Sequence, residues 1–247
     1  SIQQTFLLTT GVWLALPVFG ALPFFLGATE ARFVDAFFEA MSGLTTTGST
    51  VFSGLDELPK GLLLWRGILQ WLGGIGIVVV AMVFLPELRV GGMQIFRTES
   101  FDTFGKILPR ATEIASRISV IYVSLTMACA VAYVLAGMGA FDATVHAMTT
   151  IATGGFSNYD SSFAAFGPGA SYVATVFMLL AALPFVRFVQ LSAGTARPLL
   201  QDTQIHAFLG TATIVVILIA GWNISQQSTI NEKAIRVAIF NAVSLMT

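Results

Sequence analysis

The feature that most constrains this chain is a sequence motif that occurs twice. The first copy occupies residues 35–48 (DAFFEAMSGLTTTG) and the second residues 142–155 (DATVHAMTTIATGG). Each copy is a short helical pattern that ends in a run of Thr or Ala, Thr and Gly, and each lies between two long apolar segments. A third copy of the first half occupies residues 234–247. Repetition in this setting indicates a structure assembled from tandem units.

The composition restricts the chain to membrane proteins. Of its 247 residues 55% are hydrophobic and only 10% are charged, and the mean hydropathy is +0.82, whereas a soluble domain has about 25% charged residues. A membrane-spanning helix needs about 20 apolar residues. Five windows approach or exceed that length: residues 6–26, 67–86, 118–141, 170–186 and 207–219.

Other classes of protein are excluded by what the chain lacks. A net charge of −1 offers no basic surface for nucleic acid. One cysteine and two histidines cannot supply a disulfide framework or a metal cluster. The sequence shows no catalytic triad and no paired acid and base, so we expect no enzyme and no covalently bound cofactor.

The distribution of Lys and Arg orients the chain in the membrane. The connection between the second and third windows contains five of the twelve basic residues: Arg89, Arg97, Lys106, Arg110 and Arg117. Basic connections stay on the cytoplasmic side. The connection between the third and fourth windows has no Lys or Arg. Both Thr/Gly runs are therefore expected to face outward.

The short helical patterns, residues 36–47 and 143–153, are too short to cross the membrane. A dozen residues of helix span about 18 Å. We expect each to enter partway and return as non-helical backbone, which is tolerated at that depth only where protein buries it or where it lines a water-filled cavity. The predicted fold is thus an all-α polytopic membrane protein with tandem helix, pore-loop, helix repeats around a central ion pore. Its parts would be a first repeat, a cytoplasmic linker, a second repeat, a second linker and the start of a third repeat, at 1–88, 89–117, 118–193, 194–205 and 206–247.

The residues that follow each short helix suit cation coordination by backbone carbonyls. Their side chains are small and uncharged, and glycine can adopt positive φ so that successive carbonyls point the same way. The C-terminal end of each helix adds a partial negative charge. The candidate cation-binding residues are Thr45, Thr46, Thr47, Gly48, Ala152, Thr153, Gly154 and Gly155.

Several stretches resemble one known family. They are TTTGST at 45–50, WRG at 65–67, QWLGGIGI at 70–77, GGMQIFR at 91–97 and HAMTTIATGGFS at 146–157. Together they resemble the Trk/Ktr/HKT superfamily of potassium uptake proteins, closest to its TrkH branch, over nearly the whole chain. The resemblance implies four repeats around one pore, each with a filter segment and a single key glycine. It implies potassium as the transported ligand at the eight residues above, with Gly48 and Gly155 as the key glycines.

The resemblance also implies partners and a location. It implies a TrkA-like cytoplasmic nucleotide-binding subunit, a homodimer and a bacterial inner membrane. In the repeat alignment the third filter would begin at Thr247, and the rest of that repeat and a fourth are not in the sequence. We therefore expect an internal fragment of a longer protein.

Two other functions remain open at this stage. One is a secondary cation-coupled transporter with broken helices, whose unwound backbone would bind an ion near the midplane and whose repeats are commonly inverted. The other is a non-conducting structural subunit of the membrane. Repeats of equal polarity argue against the first, and sensitivity of the Thr/Gly runs to bulky replacement would argue against the second.

Individual polar residues carry further expectations. Arg66 and Arg187, at the ends of apolar windows, are predicted to reach the membrane interface. Asp35 and Asp142 suit N-cap positions ahead of the short helices. His146, which aligns with Glu39 and Asn241, is predicted to make a helix-anchoring hydrogen bond rather than to bind an ion.

Three glycines of the second window, Gly73, Gly74 and Gly76, could suggest a phosphate-binding loop. They lie within a spanning segment and lack the strand, turn and helix that such a loop requires. Close packing of helices through small residues is the favoured interpretation.

Overall fold

The structure is a computed structural model that describes residues 2–88, 111–227 and 231–247. Within these ranges every regular element is a helix. The GGMQIFR stretch and most of the basic linker that the sequence places on the cytoplasmic side lie outside the described residues.

The first part of the chain is a long helix, a short helix and a second long helix. These are α1 (Ile2–Leu26), α2 (Phe33–Leu44) and α3 (Lys60–Leu88). A 3₁₀ turn at Leu55–Glu57 lies in the connection between α2 and α3. At 29 residues, α3 is about 43 Å long, enough to cross a bilayer.

The same order recurs in the second part. It contains α4 (Ala111–Leu135), α5 (Ala140–Ile151), a 3₁₀ turn at Ser162–Ala165 and α6 (Pro168–Ala181). One constant shift in residue number maps both ends of α2 onto both ends of α5. The short helices therefore begin and end at equivalent residues of the repeated motif.

The remaining helices lead to the third copy of the motif. They are α7 (Phe185–Ser192), α8 (Arg197–Leu200), α9 (Thr203–Gln227) and α10 (Glu232–Met246). The long helix before each short helix packs against it, since α1 contacts α2, α4 contacts α5 and α9 contacts α10. The helix that follows each of the first two short helices packs against the next short helix in the chain, since α3 contacts α5 and α6 contacts α10. Repeats of the same orientation produce this head-to-tail packing.

Several helices have the length and composition of membrane spans. Within the described residues, three satisfy both criteria: Leu7–Leu26, Ala115–Leu135 and Thr203–Asn223. Many of their large apolar side chains, including Leu7, Val120 and Ile217, are exposed. Helices this long and apolar, with large apolar side chains on their surface, make the chain an all-α, multi-pass membrane protein.

The fourth predicted span, residues 170–186, is a bent pair of helices rather than one continuous helix. The chain turns by 86° between α6 and α7. Pro184 lies at the turn. It has no amide hydrogen, and its ring disfavours helical geometry at Leu183. The break was not predicted, because the whole window is apolar and its hydropathy shows no interruption.

Two buried clusters hold the short helices in place. One joins α1, α2 and α3 through residues such as Phe24, Ala40 and Leu69. The other joins α4 to α7 and includes Tyr133 and Ala147. The short helices contribute mainly small residues, so the long helices approach them closely.

The sequence predicted close packing of helices at Gly73, Gly74 and Gly76 of α3, and the structure shows it at the first two. A Cβ at Gly73 would overlap the backbone of Leu44, the last residue of α2, and one at Gly74 would press on the Tyr122 hydroxyl and on Ala152. Gly76 has open space around it. Gly73 and Gly74 thus place α3 against the ends of both short helices.

Candidate ion-binding site

The first Thr/Gly loop begins with hydrogen bonds that close the end of α2. The Thr46 N–H donates to the Gly43 carbonyl and the Thr47 N–H to the Ser42 carbonyl, both at 2.9 Å. Thr46 has φ +53°. This pattern is a Schellman motif, which satisfies the last carbonyls of a helix and turns the chain away from its axis.

The second loop repeats this geometry at the end of α5. The Thr153 N–H donates to the Thr150 carbonyl and the Gly154 N–H to the Thr149 carbonyl, both at 3.0 Å. Thr153 has φ +51°. Donors, acceptors and left-handed residues all occupy equivalent positions in the two motif copies. The loops are therefore structural equivalents, as well as similar in sequence.

The two key glycines adopt the positive φ that the sequence suggested. Gly48 has φ +77° and Gly155 has φ +79°. The left-handed threonines, Thr46 and Thr153, were not predicted. A β-branched residue rarely adopts this conformation, at a cost of roughly 1–3 kcal/mol. No sequence signal could have revealed it, because glycine is the residue normally favoured at that position.

The structure brings the two loops into contact. A Cβ at Gly48 would overlap the carbonyl oxygen of Gly154. Thr47 and Gly155 are exposed, whereas Ala152 and Gly154 are buried. The two loops thus meet at Gly48 and Gly154, and part of each loop stays exposed.

The hydroxyls of the first loop bond within the protein. The Thr45 Oγ1 lies 2.8 Å from the Met41 carbonyl and 2.8 Å from the Thr47 Oγ1. None of the eight candidate residues has a charged side chain, and the described residues contain no group of three His, Cys, Asp or Glu that could hold a metal ion. The loops can therefore offer a cation uncharged oxygen atoms, chiefly those of backbone carbonyls.

Behind the first loop, the buried Glu39 of α2 holds the chain as it leaves the loop. Its carboxylate accepts hydrogen bonds from the Thr50 hydroxyl at 2.9 and 3.0 Å and from the Val51 N–H at 3.0 Å. It also accepts from the Arg66 Nε at 2.8 Å. Glu39 thus ties the short helix to both the segment after the loop and the following long helix.

Behind the second loop, His146 occupies the position of Glu39. Its Nε2 lies 3.1 Å from the Ser157 hydroxyl, and its Nδ1 lies 2.9 Å from the Asp142 carbonyl. Ser157 is the equivalent of Thr50 in the motif alignment. The predicted helix-anchoring role of His146 is therefore confirmed, and Glu39 shares it.

Arg66 was predicted to reach the membrane interface, and this was wrong. Its side chain is 1% exposed and pairs with the fully buried Glu39. Its Nη1 donates to the Ser157 carbonyl at 2.7 Å, and its guanidinium lies 4.2 Å from the centre of the Phe156 ring. The Glu39 carboxylate and the Ser157 carbonyl make the hydrogen bonds that water would otherwise make to this guanidinium. Arg66 therefore connects the two repeats.

Gln70 lies one turn further along α3 and is also fully buried. Its Oε1 accepts a hydrogen bond from the Phe156 N–H at 3.0 Å. Phe156 directly follows Gly155, so α3 of the first repeat holds the backbone next to the second loop. This role was not predicted, because the sequence marks Gln70 only as the first residue of the QWLGGIGI stretch that resembles the family.

Aspartates connect the outer segments rather than capping the short helices. The N-caps are Arg32 and Gly139, and neither side chain caps its helix. The N-cap assignment for Asp35 and Asp142 was therefore wrong, because each helix begins earlier and puts the acid in its first turn, where it still complements the helix dipole. Asp35 pairs with Arg32 at 2.8 Å.

Asp142 binds the segment that follows the second loop. Its carboxylate accepts from the Asn158 amide at 2.8 Å and from the Tyr159 hydroxyl at 3.1 Å. Partial burial of Tyr159 and the hydrogen bond from its hydroxyl to Asp142 raise the pKa of Tyr159. Asp160 accepts from the N–H groups of Gly54 and Leu55 at 2.7 and 3.1 Å. The outer segments of the two repeats are thus fastened to each other.

Arg187, the second arginine predicted to reach the membrane interface, is also paired. Its Nε donates to Asp202 at 2.7 Å, and its Nη1 to Gln190 at 3.1 Å. Burial opposes ionisation of Asp202, but the hydrogen bonds from Arg187 and from the Gln204 N–H outweigh it and lower the pKa of this carboxyl. The pair connects α7 to the start of α9.

Comparisons with known proteins point to one family. Residues 1–244 match the family described as TrkH, cation transport protein. The chain is 44% identical to the Trk system potassium uptake protein TrkI of Halomonas elongata, covering 99% of this chain and 50% of that protein. It is 40% identical to TrkH of Escherichia coli, covering 99% of this chain and 52% of that protein.

A solved structure shares the fold. The crystal structure of the potassium transporter TrkH from Vibrio parahaemolyticus matches 98% of this chain and 50% of that one, with a TM-score of 0.85 and 38% sequence identity. The chain thus spans about half the length of the curated relatives it matches.

Proposed function

Because this chain belongs to the TrkH family of cation transport proteins, we propose that it forms part of the pore of a potassium uptake system. Its two Thr/Gly loops would be two segments of a selectivity filter, in which the carbonyls of residues 45–48 and 152–155 replace the hydration shell of potassium. The observation that carries the proposal is the pair of equivalent loops in contact, Gly48 against Gly154. Relatives 40% and 44% identical are named potassium uptake proteins, which supports potassium as the ion.

The physical support lies in how the loops are built. Each follows a short helix whose C-terminal end carries a partial negative charge. Each is held from behind by a buried polar side chain, Glu39 or His146. Strained threonines at equivalent positions are typical of segments whose conformation matters to function. Rigid carbonyls aimed at one space favour a cation of one size.

The broken helix formed by α6 and α7 gives the transporter alternative one observation in its favour. Broken-helix transporters commonly use inverted repeats. Here α3 packs on α5 as α6 packs on α10, which indicates repeats of equal orientation. The pore is therefore the better supported function.

Replacing each filter glycine tests the proposal. The protein would be expressed from its complete gene in cells that lack their own potassium uptake, and rubidium uptake would be measured with sodium as competitor. Gly48→Ser and Gly155→Ser are expected to weaken selectivity for rubidium over sodium while the protein still reaches the membrane, because serine cannot adopt positive φ without strain.

Gly137→Ser is the matched control. Gly137 also has positive φ, +95°, but no atom beyond its chain neighbours lies near its Cβ position, and it lies outside both loops. This variant is expected to retain selectivity. If both filter variants transport like the unmodified protein, the Thr/Gly loops are ordinary turns, and the transporter or structural function gains ground.

We also propose the arrangement of the protein in its membrane. The two loops would face outward from a bacterial inner membrane, with the repeats bounded as the sequence suggests and the linkers on the cytoplasmic side. A Ser161→Cys variant tests the orientation, since Cys129 is buried and Ser161 is exposed. We expect a membrane-impermeant maleimide to label Ser161→Cys from outside intact spheroplasts. Labelling only after the membrane is opened would show that the loops face the cytoplasm.

We propose a homodimer that binds a TrkA-like nucleotide-binding subunit on its cytoplasmic face. Support comes from family membership alone. Light scattering on the purified protein should give the mass of a dimer, and co-purification with the regulatory subunit should depend on the cytoplasmic linkers. A monomer that transports normally would contradict the dimer.

A further inference from the structure

One face of α3 joins the two candidate filter loops. Arg66 and Gln70 are separated by one helical turn and are both buried. Arg66 holds the carbonyl of Ser157, and Gln70 holds the N–H of Phe156. A helix of the first repeat therefore fixes two consecutive residues that follow the loop of the second repeat.

The Gln70 amide lies against both loops. A Cβ at Gly154 would overlap the Gln70 Cδ, and a Cβ at Gly48 would lie 3.7 Å from the Gln70 Nε2. Gly48 itself abuts the carbonyl oxygen of Gly154. Any shift of this amide would move both loops.

The orientation of the amide is fixed by its partner. The Oε1 accepts from the Phe156 N–H, so turning the amide over would set two N–H donors against each other. In the observed orientation the buried Nε2 has no hydrogen-bond partner among the described residues. A buried donor without a partner is unfavourable, and this one faces the loops.

We propose that Gln70 is a positioning residue for the filter, which sets the distance between the loop of the first repeat and that of the second. The inference rests on the proposed function. Gln70 does not touch the ion; it acts through the Phe156 backbone and through its packing against Gly154, which in turn abuts Gly48. The equivalent position in the second repeat is Phe177, which packs in an apolar cluster, so this cross-repeat link belongs to the first junction.

Three substitutions separate positioning from simple packing. Gln70→Met keeps the length of the side chain and removes both polar groups. Gln70→Glu keeps an acceptor for the Phe156 N–H, and Gln70→Asn keeps the amide but shortens its reach. Each variant would be made in the complete protein, and the ratio of rubidium to sodium uptake measured alongside the amount of protein in the membrane.

The expected result is a graded loss of selectivity. Gln70→Met should lower the rubidium-to-sodium ratio about tenfold, since losing the acceptor leaves a buried N–H unsatisfied next to Gly155. Gln70→Asn should lower this ratio as well, and Gln70→Glu should keep much of the ratio of the unmodified protein. If Gln70→Met fails to reach the membrane, Gln70→Asn and Gln70→Glu still give the comparison.

Trp71→Phe is the matched control. It removes a hydrogen bond of 3.0 Å from the neighbouring residue of α3 to Thr126, away from the loops, and should leave the ratio unchanged. Equal loss in Trp71→Phe and Gln70→Met would overturn the inference, because general destabilisation would then explain both. Full selectivity in Gln70→Met would also overturn it.

The filter variants distinguish failure of this inference from failure of the proposed function. If Gly48→Ser loses selectivity while Gln70→Met keeps it, the pore stands and Gln70 has no positioning role. If neither changes selectivity, the proposed filter itself is wrong, and the inference falls with it.

Discussion

The two loops share one backbone and differ in what holds it. Thr46 and Thr153 are both left-handed, and the helix-ending hydrogen bonds are the same in both loops. Behind the first loop lies an ion pair between Glu39 and Arg66. Behind the second, His146 contacts a hydroxyl instead. The loop geometry therefore comes from how the short helix ends, and several kinds of side chain can support it.

The junctions between repeats differ in the same way. Where α3 meets the second loop, the contacts are polar and made by Arg66 and Gln70. Where α6 meets α10, the Tyr172 hydroxyl donates to the Glu232 carboxylate at 3.0 Å, and the Phe163 ring of the 3₁₀ turn before α6 lies 4.9 Å from the Phe240 ring. The first junction thus holds backbone groups beside the second loop, whereas the second junction joins side chains to side chains.

The largest effect is expected from breaking the ion pair between Glu39 and Arg66 behind the first loop. Glu39→Gln would leave Arg66 buried without its counter-charge and lower the free energy of unfolding by about 3–5 kcal/mol. His146→Gln would remove one neutral anchoring contact and cost about 1 kcal/mol. Unfolding of the detergent-solubilised protein with denaturant would measure both.

A double variant checks the cause of that difference. Glu39→Gln combined with Arg66→Met removes both charges and should recover part of the lost stability. Equal, small losses in Glu39→Gln and His146→Gln would contradict the account, because the two repeats would then depend on their anchors to the same degree.

A smaller difference is expected between the two key glycines. Gly48→Ala places a methyl group into the Gly154 carbonyl at positive φ, whereas Gly155→Ala meets no atom within 4 Å and has the strain of positive φ alone. Left-handed geometry costs an L-residue roughly 1–2 kcal/mol, and the overlap adds about 1–3 kcal/mol at Gly48.

Thermal unfolding of the two variants would compare them. Gly137→Ala supplies the reference for strain without a loop, because its surroundings are also open. Gly155→Ala should match that reference, and Gly48→Ala should unfold at a clearly lower temperature. A reversed order would mean that the loops do not meet as described.

The smallest expected effect sharpens the equivalence of the loops. Thr46→Gly and Thr153→Gly remove a β-branched residue from the left-handed region and should each raise the free energy of unfolding by up to about 1 kcal/mol. The two gains should agree within about 0.5 kcal/mol, since both residues occupy the same turn. A higher free energy of unfolding for one variant and a lower one for the other would show that the two loops share their backbone geometry but not its energetic cost.

Much of this architecture could be predicted from the sequence because its signals are local. Apolar windows gave the long helices, and the repeated motif gave the short helices and the positive φ of Gly48 and Gly155. The anchoring role of His146 followed from its alignment with Glu39. Family membership, implied by the same motifs, is confirmed over residues 1–244.

The features that escaped prediction depend on contacts distant in the chain. Arg66 meets Glu39 across 27 residues and Ser157 across 91, so nothing near it reveals its burial. Gln70 meets Phe156 across 86 residues. The break before Phe185 had a local signal in Pro184, but the apolar window around it masked the helix end.

The most direct test of the central claim is to locate the ion. Crystals of the complete protein grown in rubidium would be measured at the rubidium absorption edge. The account predicts anomalous density within coordination distance of the carbonyls of both loops, 45–48 and 152–155. A transport-competent protein whose rubidium sites lie elsewhere, with these loops unoccupied, would contradict it.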